Sequence, residues 1–301
     1  MLNLKDYDIQ EKVYENGSKI LYRGYSSGNG KAVIIKVLKE ESTSSADVSR
    51  LYYEYEITRK LSTKSIMKPI GLEKAGNSLA LIIECDGEIS LREYIEGLPL
   101  NVESFLDISI KLTQSLGDIH YCGIVHRNIT PDNIFIDPKI KEVRITDFSY
   151  AVLYDTDSSK ITIKTHFVDN IEYMSPEQSG QIGGTDFSSD YYSLGVVFYE
   201  MLTGRLPLKA DAAAEWAELH ATKVPERPDT IDAKIPSVLS DIVMKLLAKS
   251  ARDRYQTAYG LLKDLLECKR QWLKSGKIEP FKLGMHDIST RFKLPTKLIG
   301  R

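Results

Sequence analysis

The side chains best suited to chemistry gather in two short stretches. One is the block His126-Arg127-Asn128-Ile129-Thr130-Pro131-Asp132-Asn133; the other, fourteen residues after Asn133, is Asp147-Phe148-Ser149. Asn133 and Asp147 each carry side-chain oxygens that can accept hydrogen bonds. Asn128 is an amide, which takes no proton near pH 7 and so is unfit as a general base. Upstream, Lys36 closes the apolar run Val33-Ile34-Ile35, and Glu54 follows on a helix. A lysine ending a strand is usually solvated and a helix glutamate usually lies on the surface, so neither signals chemistry alone.

The elements that must hold these residues divide the chain in two. Residues 20–25, 32–38, 66–72 and 78–84 are rich in Val, Ile, Leu and Tyr between Gly-containing turns and predict strands. One helix interrupts them, from Asp47 as N-cap through Arg50, Leu51, Glu54 and Ile57 to Leu61. Asn16-Gly17 predicts a type I′ hairpin turn. Beyond residue 90, Phe105, Ile108, Leu112, Leu116 and Ile119 recur at helical steps, with Gly123 as the C-terminal cap. Further helices are predicted at 188–203, 212–222, 237–248 and 257–272. The fold class is α+β: a small strand-rich lobe, a boundary near Glu84 to Gly87, and a larger helical lobe.

At 301 residues, with 42% hydrophobic and 27% charged side chains, the chain has enough length for a sizeable core and excludes collagen-like, disordered or disulfide-scaffold classes. Single cores stop growing near this size, so two lobes are expected. A net charge of -2 gives no basic field for nucleic acid or an anionic membrane. Cys85, Cys122 and Cys268 form no C-x-x-C pair, which fits a reducing, cytoplasmic setting without a zinc site. The start carries Lys5, Asp6 and Asp8 instead of an apolar leader, and the strongest apolar run, 194–202, is broken by Glu200, so no secretion or membrane span is expected.

Taken in order, these motifs resemble the eukaryotic-type Ser/Thr protein kinase family, with its H-R-D-x-x-x-x-N loop and D-F-G motif. Val33-Ile34-Ile35-Lys36 stands for V-A-I-K, and Ser175-Pro176-Glu177 for A-P-E. Asp190, Gly195 and Arg254 follow in the family's order. The match runs from residue 7 to about 272, and the resemblance implies a two-lobed protein kinase fold with N-lobe 1–84, hinge 83–87 and C-lobe 88–272. It also implies that Lys36, held by Glu54, grips the ATP phosphates, while Asn133 and Asp147 hold Mg²⁺. Adenine would lie between Leu21 and Ile34 above and Phe135 below, beside hinge residues Glu84 and Asp86. Asp190 would accept backbone N–H groups from the 126–128 turn, and Glu177 would pair with Arg254.

Several positions depart from that pattern. Asn128 occupies the general-base position, a loss worth about 10² to 10⁴ in rate. Thr130 replaces a phosphate-facing Lys, Asn170 replaces a Thr, and Ser149 replaces the D-F-G glycine. The three glycines of the nucleotide roof fall on Tyr14, Asn16 and Lys19, leaving Lys19 as the charged residue to face a phosphate. Ile34 and Phe135 are larger than usual against a flat ring, an overpacking of about 1 to 3 kcal/mol. The reading is a regulatory pseudokinase module in intracellular signalling with weak, metal-sensitive ATP binding. The alternative is an active Ser/Thr kinase in which Asn128 only orients the acceptor hydroxyl.

Tyr14-Glu15-Asn16-Gly17, Glu54-Tyr55-Glu56-Ile57-Thr58 and Ser175-Pro176-Glu177-Gln178 are similar to the opening kinase-like domain of large bacterial multidomain signalling proteins. That resemblance makes residues 273–301 an extension leading toward an AAA-type NTPase domain. It also makes adjacent signalling domains or protein partners the expected contacts. Asn128, Thr130 and Ser149 depart even from those proteins. Ile278, Phe281, Leu283, Ile288, Phe292 and Leu294 are too apolar for a plain linker and predict a tail packed on the helical lobe.

Overall fold

A computed structural model describes residues 4–39, 44–154, 170–179 and 185–288. Five antiparallel strands and one helix form the smaller lobe: β1 (Tyr7–Glu15), β2 (Lys19–Ser26), β3 (Ala32–Leu38), α1 (Ser45–Thr58), β4 (Pro69–Ala75) and β5 (Ser78–Glu84). The sheet order is β1-β2-β3-β5-β4, which buries β3 centrally. Its register sets Leu21 opposite Lys36 and Ile34 opposite Ile83.

Three local expectations are corrected. Helix α1 is capped by Ser44, whose side chain accepts from the Asp47 N–H while Asp47 accepts from the Ser44 N–H; Asp47 is thus the far corner of a capping box and not the N-cap. The helix stops at Thr58, where the hydroxyl bonds the Glu54 carbonyl at 2.6 Å, short of Leu61. The strand expected at 66–72 begins only at Pro69, because Ile66 bridges Ile145 and the Met67 N–H bonds the Ile145 carbonyl.

The 16–18 turn is not type I′, since neither Asn16 nor Gly17 has the positive φ that turn needs. Instead the Asn16 Oδ1 accepts the N–H groups of Ser18 and Lys19 at 3.1 and 3.0 Å, an Asx turn.

The larger lobe opens with β6 (Ile89–Ser90), α2 (Leu91–Ile95) and α3 (Val102–Tyr121). It continues through β7 (Ile124–Val125), β8 (Ile134–Ile136), β9 (Val143–Ile145) and β10 (Val152–Leu153). It closes with α4 (Phe187–Thr203), α5 (Ala213–Thr222), α6 (Pro228–Ile231), α7 (Ser237–Leu246) and α8 (Ala258–Ser275). Helices α3 and α4 form its centre, with Phe105 edge-on to Phe198 at 5.4 Å. Cys122 is the C-cap residue of α3, and Gly123 beyond it takes φ +73°, the left-handed position that suits glycine. The short pairs β7–β10 and β6–β8–β9 fix the site loops: His126 follows β7, Asn133 precedes β8, and Asp147 follows β9.

After α8 the chain folds back along that helix. Ile278 is buried, and Phe281 and Leu283 pack against the main core. The Asp287 carboxylate accepts from the Gln256 N–H, the Thr257 N–H and the Thr257 hydroxyl. The tail therefore packs on the helical lobe through Ile278, Phe281 and Leu283, whereas Ile288 is exposed. Phe292 and Leu294 lie outside the described residues. Among the described residues, no helix is long and apolar enough to cross a membrane.

Candidate active-site cleft

Lys36 lies in the middle of β3, its flanks covered by β2 and β5, so its ammonium can leave the sheet only toward α1 and the lobe boundary. There it bonds both Glu54 oxygens at 2.7 Å and the Asp147 Oδ1 at 2.9 Å, with all three residues at most 2% exposed. Burial pushes the Glu54 carboxyl up, with Lys36 opposing and Asp147 adding to the rise. Burial would raise Asp147 too, but the charges of Lys19 and Lys36 outweigh it and hold that carboxyl well below its ordinary range.

Asp147 sits in a left-handed conformation, φ 64°, just after β9. Four side chains donate to it among the described residues. Lys36 and the Ser149 hydroxyl, the latter at 2.7 Å, reach Oδ1; Lys19 and the Asn128 Nδ2, the latter at 3.0 Å, reach Oδ2. Lys19 enters from the start of β2, placed by the Asx turn before it, and is itself buried.

This donor set does not fit a divalent ion. A double charge about 4 Å from the Lys19 ammonium would meet about 8 kcal/mol of repulsion at an effective dielectric near 20. Lys19 and Lys36 already neutralise Glu54 and Asp147. The arrangement argues against metal-sensitive binding.

Asn128 is held at both ends: Nδ2 donates to Asp147, and Oδ1 accepts from the Asn170 Nδ2 at 3.2 Å. Asn133 donates to the Asn128 carbonyl at 2.9 Å. The turn carrying Asn128 hangs on Asp190, which accepts the His126 and Arg127 N–H groups at 2.8 and 2.7 Å. The His126 Nε2–H donates to the Thr146 carbonyl and Nδ1 accepts from the Asn128 N–H, which makes the ring neutral. Burial lowers its pKa in the same sense. Beside this turn, the buried Thr130 hydroxyl lacks a partner among the described residues. A cavity of ≈ 10 Å³ lies against Thr130, Asn128 and Asn170, about the room of one water.

Leu21, Ile34 and Phe135 meet in one hydrophobic cluster with Leu51, Met67 and Ile83, at 3%, 1% and 0% exposure. Those exposures leave no open face for a flat ring. Glu84 and Asp86 are not turned to that cluster. They face Arg144, at 3.2 and 3.6 Å, and Glu84 lines a separate open depression of ≈ 850 Å³ with Lys68, Lys111 and Arg144. The large cavity thus lies away from Lys36 and Asp147. Glu177 and Arg254 pair at 2.7 Å, both buried.

Lys19, expected to face a phosphate, lies instead on Asp147. Two further residues tie the loops together. Gln178 bonds Ser175 and donates to the Arg127 carbonyl at 2.9 Å, and the His120 Nε2 reaches Asp190 at 2.8 Å. Gln178 enters the sequence only as the end of the Ser175-Pro176-Glu177-Gln178 motif, whereas the polar His120 near the C-terminal end of an apolar helix is a weak signal of its own.

Residues 11–266 match the family described as Protein kinase domain. A probable serine/threonine-protein kinase of Clostridium perfringens is 30% identical over 266 residues, covering 88% of this chain and 38% of that protein. Serine/threonine-protein kinase PrkC of Bacillus subtilis is 28% identical over 261 residues, covering 86% and 40%. Hybrid signal transduction histidine kinase G of Dictyostelium discoideum is 30% identical over 294 residues, covering 67% and 8%. The chain spans less than half the length of each of these relatives.

Proposed function

This chain belongs to the eukaryotic-type Ser/Thr protein kinase family, and from that premise we propose that it is a regulatory pseudokinase module whose phosphotransfer is impaired. The observation that carries the reading is the two-ended clamp on Asn128, which donates to Asp147 and accepts from Asn170. A general base must present a free lone pair to the substrate hydroxyl, and this amide has neither the basicity nor the freedom. ATP binding is weak, because Leu21, Ile34 and Phe135 fill the ring's place with their own bulk. The module acts through its surfaces on adjacent signalling domains or protein partners, a role supported by its likeness to a hybrid histidine kinase.

One observation favours a second reading, an active Ser/Thr kinase: the Lys36–Glu54 pair is formed at 2.7 Å, as phosphate positioning requires. Phosphotransfer from radiolabelled ATP to protein hydroxyls decides between the two. The pseudokinase reading expects transfer at least about two decades below an active kinase, from the general-base magnitude. Robust autophosphorylation would reverse it.

A further inference from the structure

Three positions that break the family pattern, 19, 128 and 149, lie far apart in the chain, yet all three side chains donate to one carboxylate, Asp147. With Lys36 they saturate both oxygens, and the two ammonium groups balance the two buried carboxylates, Glu54 and Asp147. We infer that the Lys19 ammonium is the resident cation of this cleft, neutralising Asp147 where a divalent ion would otherwise stand. Any nucleotide polyphosphate the cleft takes is then taken without metal. A tethered ammonium brings its charge from the start of β2 and needs no ligand shell of oxygens, and the filling of Oδ2 by Lys19 and Asn128 leaves that oxygen little lone-pair capacity.

The inference rests on the kinase-family reading and extends it from lost chemistry to altered ion dependence. Its test is Mn²⁺ titration of the full chain by electron paramagnetic resonance, with and without millimolar ATP, paired with thermal shifts in Mg²⁺ and in chelator. The wild type is expected to bind no Mn²⁺ in the submillimolar range and to melt identically with Mg²⁺ or chelator. Lys19→Met is expected to gain Mn²⁺ affinity at least ten-fold in the presence of ATP. Lys19→Gln, which keeps a donor and loses the charge, should do the same, and Lys19→Arg should stay metal-blind. Cooperative melting of Gln and Arg variants guards against misfolding of the Met variant. Equal Mn²⁺ binding by wild type and both uncharged variants, or no gain in either, overturns the inference. Wild-type Mn²⁺ binding without phosphotransfer would sink this inference and leave the regulatory reading standing; metal-independent phosphotransfer would do the reverse.

Discussion

Gly260, in the first turn of α8, lies so close to Asp287 that a Cβ added to the glycine would stand 2.5 Å from the Asp287 Cβ and 2.7 Å from its Cα. The contact is with backbone as well as side chain, so no rotamer change relieves it. Alanine at 260 gains up to about 1 kcal/mol of helix propensity but forces the returning tail off the helix. Gly260→Ala should therefore release residues 277–288 to rapid protease cleavage while the rest of the lobe stays resistant. A tail as protected as in the wild type would refute this.

Arg254 spends its donors on Glu177, Ser188, Ala248 and Lys249, with its guanidinium 4.9 Å over the Tyr192 ring. Removing one member of a buried ion pair leaves the other charge stranded, a loss of about 3 to 5 kcal/mol. Glu177→Met should lower stability by that amount in urea unfolding. The double variant Glu177→Met with Arg254→Met should cost less than the two single changes added together.

His220 is fully buried, its Nε2–H donating to the Ile171 carbonyl and its Nδ1 accepting from the Tyr192 hydroxyl, both at 2.9 Å. Burial pulls its pKa from 6.5 down to about 4. Between those values the unfolded chain binds the extra proton and the folded one does not, so the contribution is whole above pH 6.5 and is lost as pH falls toward 4. The loss reaches about 3 kcal/mol at 1.36 kcal/mol per unit. Unfolding midpoints of wild type and His220→Gln at pH 7 and pH 4.5 check this; the variant should lose less on acidification.

Ile34→Ala hollows the cluster shared with Leu21 and Phe135. Without ligand it should destabilise by about 2 to 5 kcal/mol. With millimolar ATP it should recover more of its melting temperature than the wild type gains, because the shortened side chain opens space beside Leu21 and Phe135 that the wild type lacks. Equal ATP shifts in both proteins would show that bulk at 34 does not limit nucleotide entry.

The two-lobed α+β fold was legible because hydrophobic periodicity and an ordered motif series both report it. Although Asn133 turns to the Asn128 carbonyl, the meeting of Lys36, Glu54 and Asp147 was legible for the same reason. Lys19 was not: its partner is 128 residues away, and a side chain's reach across lobes leaves no periodic trace. The Asn16-Gly17 turn was misread because the dipeptide preference is local, and here the Asn16 side chain captures two N–H groups and sets another conformation. The α1 start was recoverable, since Ser44 and Asp47 stand three apart as a capping box requires.

The four donors around Asp147 also bear on how such a chain could change over generations. Asn128→Asp alone would exchange a 3.0 Å hydrogen bond for two like charges in contact, and loss of Lys19 alone would strip one of two counter-charges from a buried carboxylate. Each single step is thus uphill, and the two together are steeper still unless a divalent cation enters with them, because the pair adds one negative charge and removes one positive charge beside Asp147. The hydrogen-bond pattern acts as a ratchet on descent, holding Lys19 and Asn128 in place together.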